Sequence, residues 1–382
     1  MHKHDDIPVY FGMALERPFA SVLNSRQTKM PKGDEQWIRR TIDAVRHLID
    51  RNVTILTSLG MHTWNILAWS ANFYGGKQII ILPLFPDDDP EDIVQDVLED
   101  FALDASRVGF AFYRTDSTPT RPKGALIERD RQIIRLSDEI VPISIRPNGN
   151  LEREIANSAQ SWAKVSDAFR VDYTKPKRYN PLSGCDIEAV RAKFSGRWEL
   201  LTHWTHSFPE PWPRETSADF YKAIALSGTE YPRSAMKTLE RILSSGKIFG
   251  TKARFRNDFP NVSFTSLDPA NAVKLMKWDS RSGRWSMEPY GIAIDIETAR
   301  DIGVRKVIYG DETLFERLSD DDRLFFQPHG KKGDWSRELE WRHIGDFQIS
   351  EIPREKILAI VPTECQAESI REKFGLDAVS LI

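Results

Sequence analysis

A chain of 382 residues, 40% hydrophobic and 29% charged, is long enough for two domains that each bury a core. Its formal net charge of -3 excludes the global basic field of a dedicated non-specific nucleic-acid binder, and the longest apolar run, Gln78 to Leu84, is far too short to span a bilayer. The two cysteines, Cys185 and Cys365, lack partners at metal-ligand spacing, which suits a reducing cytoplasm and excludes a disulfide framework.

The charged start, Met1 to Asp6, has no apolar region or small-residue cleavage site behind it, so the expected location is cytoplasmic. Ile7 to Phe11 reads as a first strand ending at Gly12, and a polar stretch with Asn24-Ser25-Arg26-Gln27 follows. Trp37, Ile38, Ile42, Val45, Leu48 and Ile49 recur at helical spacing across 36–51. Asn52 to Ser58 is the next strand, turning through Leu59-Gly60 into a helix over 63–74. Gly75-Gly76 stops that helix, and Gln78 to Leu84 forms a fully buried strand. A strand at 107–112, a helix around Arg129 and a strand near 136–143 continue the alternation, which predicts a Rossmann-like α/β domain with a parallel sheet. Ligands of such sheets bind at the carboxyl ends of the strands. Gly12, Ser58, Gly60 and Arg129 are therefore the candidate residues for a nucleotide or other phosphorylated ligand.

The turn Ser58-Leu59-Gly60, the Gly75-Gly76 turn, and Arg129 followed by Leu136-Ser137-Asp138 resemble the SLOG superfamily, whose Rossmann-like fold includes the DNA-processing protein of transformation. The Pro-Gly-Gly-x-Gly-Thr stretch of its phosphoribohydrolase branch is absent here. The resemblance therefore implies a nucleotide-binding sensor or scaffold rather than a hydrolase, with self-association through this domain.

A helix over 150–169 closes the first domain. The Pro- and Lys-containing stretch 171–185 reads as a linker, which gives domains at 1–170 and 186–382. In the second, a helix at 186–193 precedes the strand 197–206. A proline-rich loop, a helix over 234–245 ending at Gly246, and the strand Val262 to Ser266 follow. Further strands are read at 290–296, 305–309 and 357–362, with a helix over 314–326 and a Gly330/Gly333 loop before 337–344. This pattern predicts an α+β domain on a split, mainly antiparallel sheet. The basic clusters at 247–256 and 170–178 read as solvated surface. His203 and His206 lie three apart on a strand and face opposite ways, so no zinc site is expected.

The strand carrying His203 and Thr205, the strand carrying Ser263, Thr265 and Ser266, and the segment Glu338-Leu339-Glu340 come in an order that resembles the ADP-ribosyltransferase-like domains of DNA-targeting toxins and phage-defence proteins. His203 stands where the Arg-Ser-Glu class has Arg. The resemblance implies NAD as cofactor and a protein, DNA or RNA acceptor. It makes Glu340 the carboxylate that holds the ribose hydroxyl and stabilises an oxocarbenium-like state, and Glu338 the group that orients or activates the acceptor. His203, Thr205, Ser263, Thr265 and Ser266 become cofactor-site residues, the Ser/Thr set propping the carboxylate. Taken from the residues alone, three plainer readings stay open: a solvated Glu340–Arg342 pair, a core histidine, and a strand of good β-formers. With them stays the alternative function, a non-catalytic scaffold for a nucleotide or single-stranded DNA.

Overall fold

The computed structural model describes residues 9–12, 16–116, 123–159, 162–176, 179–183, 186–194, 196, 198–252, 259–280, 283–329 and 335–382. The chain divides into two units, Met1–Arg178 with Glu210–Pro232, and Tyr179–Pro209 with Arg233–Ile382. Among the described residues no helix is long and apolar enough to cross a membrane.

The first unit alternates strands and helices. Its elements are β1 (Val9–Gly12), β2 (Phe19–Leu23), α1 (Gln36–Asp50), β3 (Thr54–Thr57), α2 (His62–Phe73) and β4 (Gln78–Leu84). Next come α3 (Pro90–Asp100), β5 (Val108–Arg114), α4 (Lys123–Leu136), β6 (Glu139–Pro142), α5 (Asn150–Ala159) and β7 (Lys164–Val165). The sheet order is β1-β5-β4-β3-β2-β6-β7, and every pair is parallel except β1 with β5. This is the Rossmann-like arrangement, with the strand order reversing between β2 and β6.

Three expectations change here. The strand that enters the parallel sheet is Phe19–Leu23, all five residues buried, where the sequence reading passed over a strand. The expected first strand is instead an antiparallel edge, with Gly12 opposite Gly109. Gly12 therefore lies beside the amino end of β5, at the opposite edge of the sheet from the ligand-binding ends. It takes φ +87°, and a Cβ there would come within 2.6 Å of the Val108 carbonyl oxygen, so its glycine serves strand pairing. The helix expected over 150–169 stops at Ala159.

The second stretch of chain holds α6 (Ile187–Lys193), β8 (Leu200–Trp204), α7 (Ser217–Leu226), α8 (Ala235–Ser245), β9 (Lys247–Ile248), β10 (Asn261–Thr265) and α9 (Pro269–Leu275). β11 (Trp278–Asp279), β12 (Arg284–Trp285), β13 (Gly291–Asp295), α10 (Ile296–Asp301), β14 (Arg305–Lys306), β15 (Ile308–Gly310), α11 (Glu312–Arg317) and α12 (Asp320–Arg323) follow. The last elements are β16 (Phe326–Pro328), β17 (Glu340–Ile344), β18 (Phe347–Gln348), β19 (Ile357–Val361), α13 (Glu364–Phe374) and β20 (Ala378–Ser380). Of these, α7 belongs to the first unit: Phe220, Tyr221 and Ile224 are buried in the core that holds the α2 residues Trp64 and Leu67. The division expected from the sequence left this return of the chain unseen.

The second unit is built on the sheet β14-β17-β10-β8-β13-β19-β20, antiparallel except for β19 with β20. The sheet is one hydrogen-bonded run rather than two. It is nevertheless pinched between β8 and β10, which share the single register pair Thr202 and Thr265, whereas β10 and β17 pair over five residues. The helix expected over 314–326 is two short helices, because Ser319 caps a new turn by accepting the Asp322 amide. The expected Gly330/Gly333 loop lies outside the described residues.

Candidate functional site

Glu338 ends a 3₁₀ turn (Trp335–Glu338) and Glu340 opens β17. Between them Leu339 takes φ +45°, a left-handed conformation that is costly for a residue of its size. The kink breaks the alternation of an extended strand, and the Glu340 charge reaches the Glu338 carboxyl. The three Ser/Thr candidates of β10 and its end all grip this kink. Ser263 Oγ donates to Glu340 Oε1 at 2.8 Å, the Thr265 hydroxyl donates to the Glu338 carbonyl, and the Ser266 amide donates to the Leu339 carbonyl at 3.2 Å. Antiparallel pairing of Thr265 with Glu340 sets this register.

The Glu340 carboxylate is held from three elements. Arg342 Nε donates to Oε1 at 2.8 Å and Nη2 to Oε2 at 3.0 Å; Tyr309, from β15, donates its hydroxyl to Oε2 at 3.2 Å. Arg342 in turn reaches Gln327 Oε1 of β16 at 2.9 Å. The plain Glu340–Arg342 pairing is therefore present, but as a buried pair rather than a solvated one. Burial, and next the Glu340 charge, push the Tyr309 phenol up, so it stays a donor.

Glu338 is different. Its half-buried carboxyl makes no hydrogen bond among the described residues, and its pKa is pushed up to about 7, first by burial and then by the Glu340 charge. Arg342 and Lys277 pull the other way.

His203 sits where β8 and β10 part. Its Nδ1 donates to the Ser263 carbonyl oxygen at 2.9 Å, a side chain standing in for a ladder bond, and burial lowers its pKa. The ring is neutral and leaves Nε2 as an acceptor. Ser263 thus joins the two candidates, its carbonyl to His203 and its hydroxyl to Glu340. Thr205 does not join them: it is 1% exposed and spends its hydroxyl on the Ala235 and Tyr290 carbonyls.

In the first unit the candidate residues serve the scaffold. Ser58 is sealed and donates to the Ile81 carbonyl at 2.7 Å. Arg129, 1% exposed, donates from Nη1 to the Leu59 carbonyl at 3.0 Å, from Nε and Nη2 to Asp130, and lies over the Trp64 ring. It braces the β3–α2 turn from inside rather than presenting a guanidinium at the surface. Gly60 does stand just past the carboxyl end of β3, at φ +95° with open space where a Cβ would go, and its amide donates to Asn65 Oδ1.

No family model matches the chain, and no curated protein is similar to it. Among solved structures it is similar over 42% of its length to DNA processing protein A from Helicobacter pylori, described for its single-stranded DNA binding mode (19% identity, TM-score 0.29, 66% of that chain). It is similar over 41% to DNA processing protein A from Streptococcus pneumoniae (16% identity, TM-score 0.27, 62% of that chain). Over 42% it is similar to the molybdenum cofactor carrier protein from Chlamydomonas reinhardtii (12% identity, TM-score 0.27, 91% of that chain). The chain spans less than two thirds of either DNA-processing protein.

Sequence reasoning missed residues on both sheets. At the β2/β6 reversal the loops are laced together, the Ser25 amide to the Ser144 carbonyl at 2.9 Å and the Arg146 amide to Ser25 Oγ at 2.8 Å. His62 Nε2 bonds the Lys29 carbonyl at 3.0 Å, which brings the loop after β2 against the start of α2. Three sealed polar atoms in this region, Asn24 Oδ1, Gln27 Nε2 and Thr63 Oγ1, have no hydrogen-bond partner among the described residues. The polar run 24–27 was the available signal, but it marks a strand end only once Phe19–Leu23 is recognised. Tyr309 and Gln327 carried no motif; pairing of β15 with β16 brings them to Arg342 and Glu340.

Proposed function

We propose that this chain is a two-part effector in which the second unit is an NAD-dependent ADP-ribosyltransferase-like domain and the first binds a nucleotide that controls it, in a bacterial defence or toxin setting. One observation carries the reading. Ser263 ties His203 to Glu340 across two strands, while Thr265 and Ser266 hold the kink that brings Glu338 beside Glu340. Cleavage of the bond between nicotinamide and ribose builds positive charge on the ribose, and a carboxyl placed by a firmly held kink suits that charge. The chemistry of the donor set fits NAD: a neutral imidazole acceptor for a hydroxyl and carboxyls for the cation.

The test is nicotinamide release and label transfer from NAD to protein, DNA and RNA acceptors, with and without adenine nucleotides. Turnover by the wild type that the double variant Glu338→Gln/Glu340→Gln lacks is the expected result. Absence of turnover with every acceptor and nucleotide, from folded protein, overturns it.

For the first unit the ligand is a nucleotide or NAD-derived anion at the β2/β6 reversal. The unpartnered Asn24, Gln27 and Thr63 atoms and the uncapped start of α2 support this position. A second reading, a non-catalytic scaffold for a nucleotide or single-stranded DNA, is favoured by the saturation of Glu340. Strong binding to single-stranded DNA with a steep salt dependence, and no NAD consumption, selects it.

A further inference from the structure

We infer that only one of the two carboxyls meets the substrate: Glu338 keeps the acceptor-activating role that the resemblance implies, while Glu340, to which the resemblance gives the ribose hydroxyl, is a positioning residue closed to it by Arg342, Ser263 and Tyr309. The inference rests on the transferase reading of the second unit.

A carboxylate offers about four acceptor positions. On Glu340 all four are taken, two by Arg342 and one each by Ser263 and Tyr309. To accept a ribose hydroxyl it must first release one of these donors. Letting go of Arg342 parts a guanidinium that is 3% exposed from the carboxylate that pairs with it. Arg342 also sits directly on the charge that would have to answer a developing cation, and largely cancels it. Glu338 has none of these restraints. It stands one residue away, half-buried, with no hydrogen bond among the described residues, on a kink that three side chains of β10 and its end keep in place.

The groups facing Glu338 are Glu340 and Arg342 from β17, Lys277 just before β11 and the Tyr309 phenol of β15. Glu340 raises the proton affinity of Glu338, which is what a base working near neutral pH requires. In the transfer step, the acceptor oxygen or nitrogen bonds to the anomeric carbon and nicotinamide leaves with the electron pair of the broken bond. The acceptor's proton passes to the Glu338 carboxylate. Glu340 gives up no proton and forms no bond; it fixes the kink and tunes its neighbour.

Two independent readouts test this. The first needs no NAD: carbon-13 titration of labelled glutamate carboxyls, the Glu338 signal assigned by its loss in Glu338→Gln. Its midpoint lies near neutral in the wild type and falls in Glu340→Gln. A Glu338 midpoint in the ordinary carboxylate range in both proteins overturns the inference. The second is kinetic. Glu338→Gln lowers kcat by about 100-fold or more with KM little changed and abolishes the rise of activity with pH through neutrality. Glu340→Gln loses activity because it strands Arg342, so the paired variant Glu340→Gln/Arg342→Met recovers about tenfold over Glu340→Gln alone. If the paired variant, shown folded by its circular dichroism, is no better than Glu340→Gln, Glu340 acts on substrate directly. A wild type without NAD turnover removes the transferase reading, while the titration still decides whether the two carboxyls differ as stated.

Discussion

Arg342 and Glu340 form a two-point ion pair two residues apart on one strand, with side chains only 3% and 13% exposed. Removing one partner leaves a buried charge. We expect Arg342→Ala to lower stability by about 3–5 kcal/mol, read from urea denaturation midpoints. The paired replacement Glu340→Gln/Arg342→Met costs much less, since no charge remains. A loss under about 1 kcal/mol for Arg342→Ala would mean that the pair is solvated.

Glu338 makes stability fall as pH rises. Its pKa is near 4.5 in the unfolded chain and pushed up to about 7 in the folded one, by burial first and by Glu340 second. Below 4.5 both states hold the proton and nothing is lost; between 4.5 and 7 the folded state binds more protons, so stability declines through that window. Glu338→Gln removes this decline. The measurement is the difference in melting temperature between variant and wild type, which should grow from acid to neutral pH and then level off.

His206 works in the opposite direction. Burial first, then the Arg284 charge and the repulsion that a second proton on nearby His203 would add, lower its pKa from 6.5 to about 3, and its Nε2 is sealed with no partner among the described residues while the ring stacks on Phe208 at 4.4 Å. From pH 6.5 down toward 3 the unfolded state takes a proton that the folded state refuses, so stability is lost on acidification across that range. His206→Phe keeps the stacking and removes the titration. Its unfolding midpoint should hold up better in acid than the wild type's.

Arg129→Ala should act on the fold before it acts on any ligand. The change frees the Leu59 carbonyl and takes the guanidinium from Asp130, whose side chain is 30% exposed, at a cost of about 2 kcal/mol. Thr63→Val is the contrast. Its hydroxyl makes no hydrogen bond, so stability holds or rises, while a nucleotide-induced thermal shift shrinks if that hydroxyl meets the ligand. Thermal shift against a panel of adenine nucleotides and NAD derivatives reads both.

Local pattern was a good guide where one stretch of chain buries one face. Trp37, Ile38, Val45 and Leu48 repeat at helical spacing and form α1, and the run Gln78–Leu84 is the buried strand it resembles. It misled where neighbours decide. Ile7 to Phe11 looked like a first parallel strand because apolar runs carry no direction, and Phe19–Leu23, equally long but with the small Ala20 and Ser21 inside it, does not stand out beside it. The segment 217–226 carries its Phe220, Tyr221 and Ile224 face to the first unit's core, which no local spacing announces.

The sequence by itself determined the residue types and their order: a Ser/Gly turn before α2, a strand with His203, a strand with Ser263 and Thr265, and a Glu-x-Glu segment. These are properties of consecutive residues, and periodicity and turn chemistry are read over such short distances. Only the tertiary structure decided what those side chains do. It sealed Arg129 behind Leu59, parted Gly12 from Ser58 and Gly60, filled Glu340 with donors from β10, β15 and β17, and left Glu338 open. The reason is physical: burial and hydrogen-bond saturation depend on strands that are distant in the chain and adjacent in the sheet, and they alone set which of two identical carboxyls is free to react.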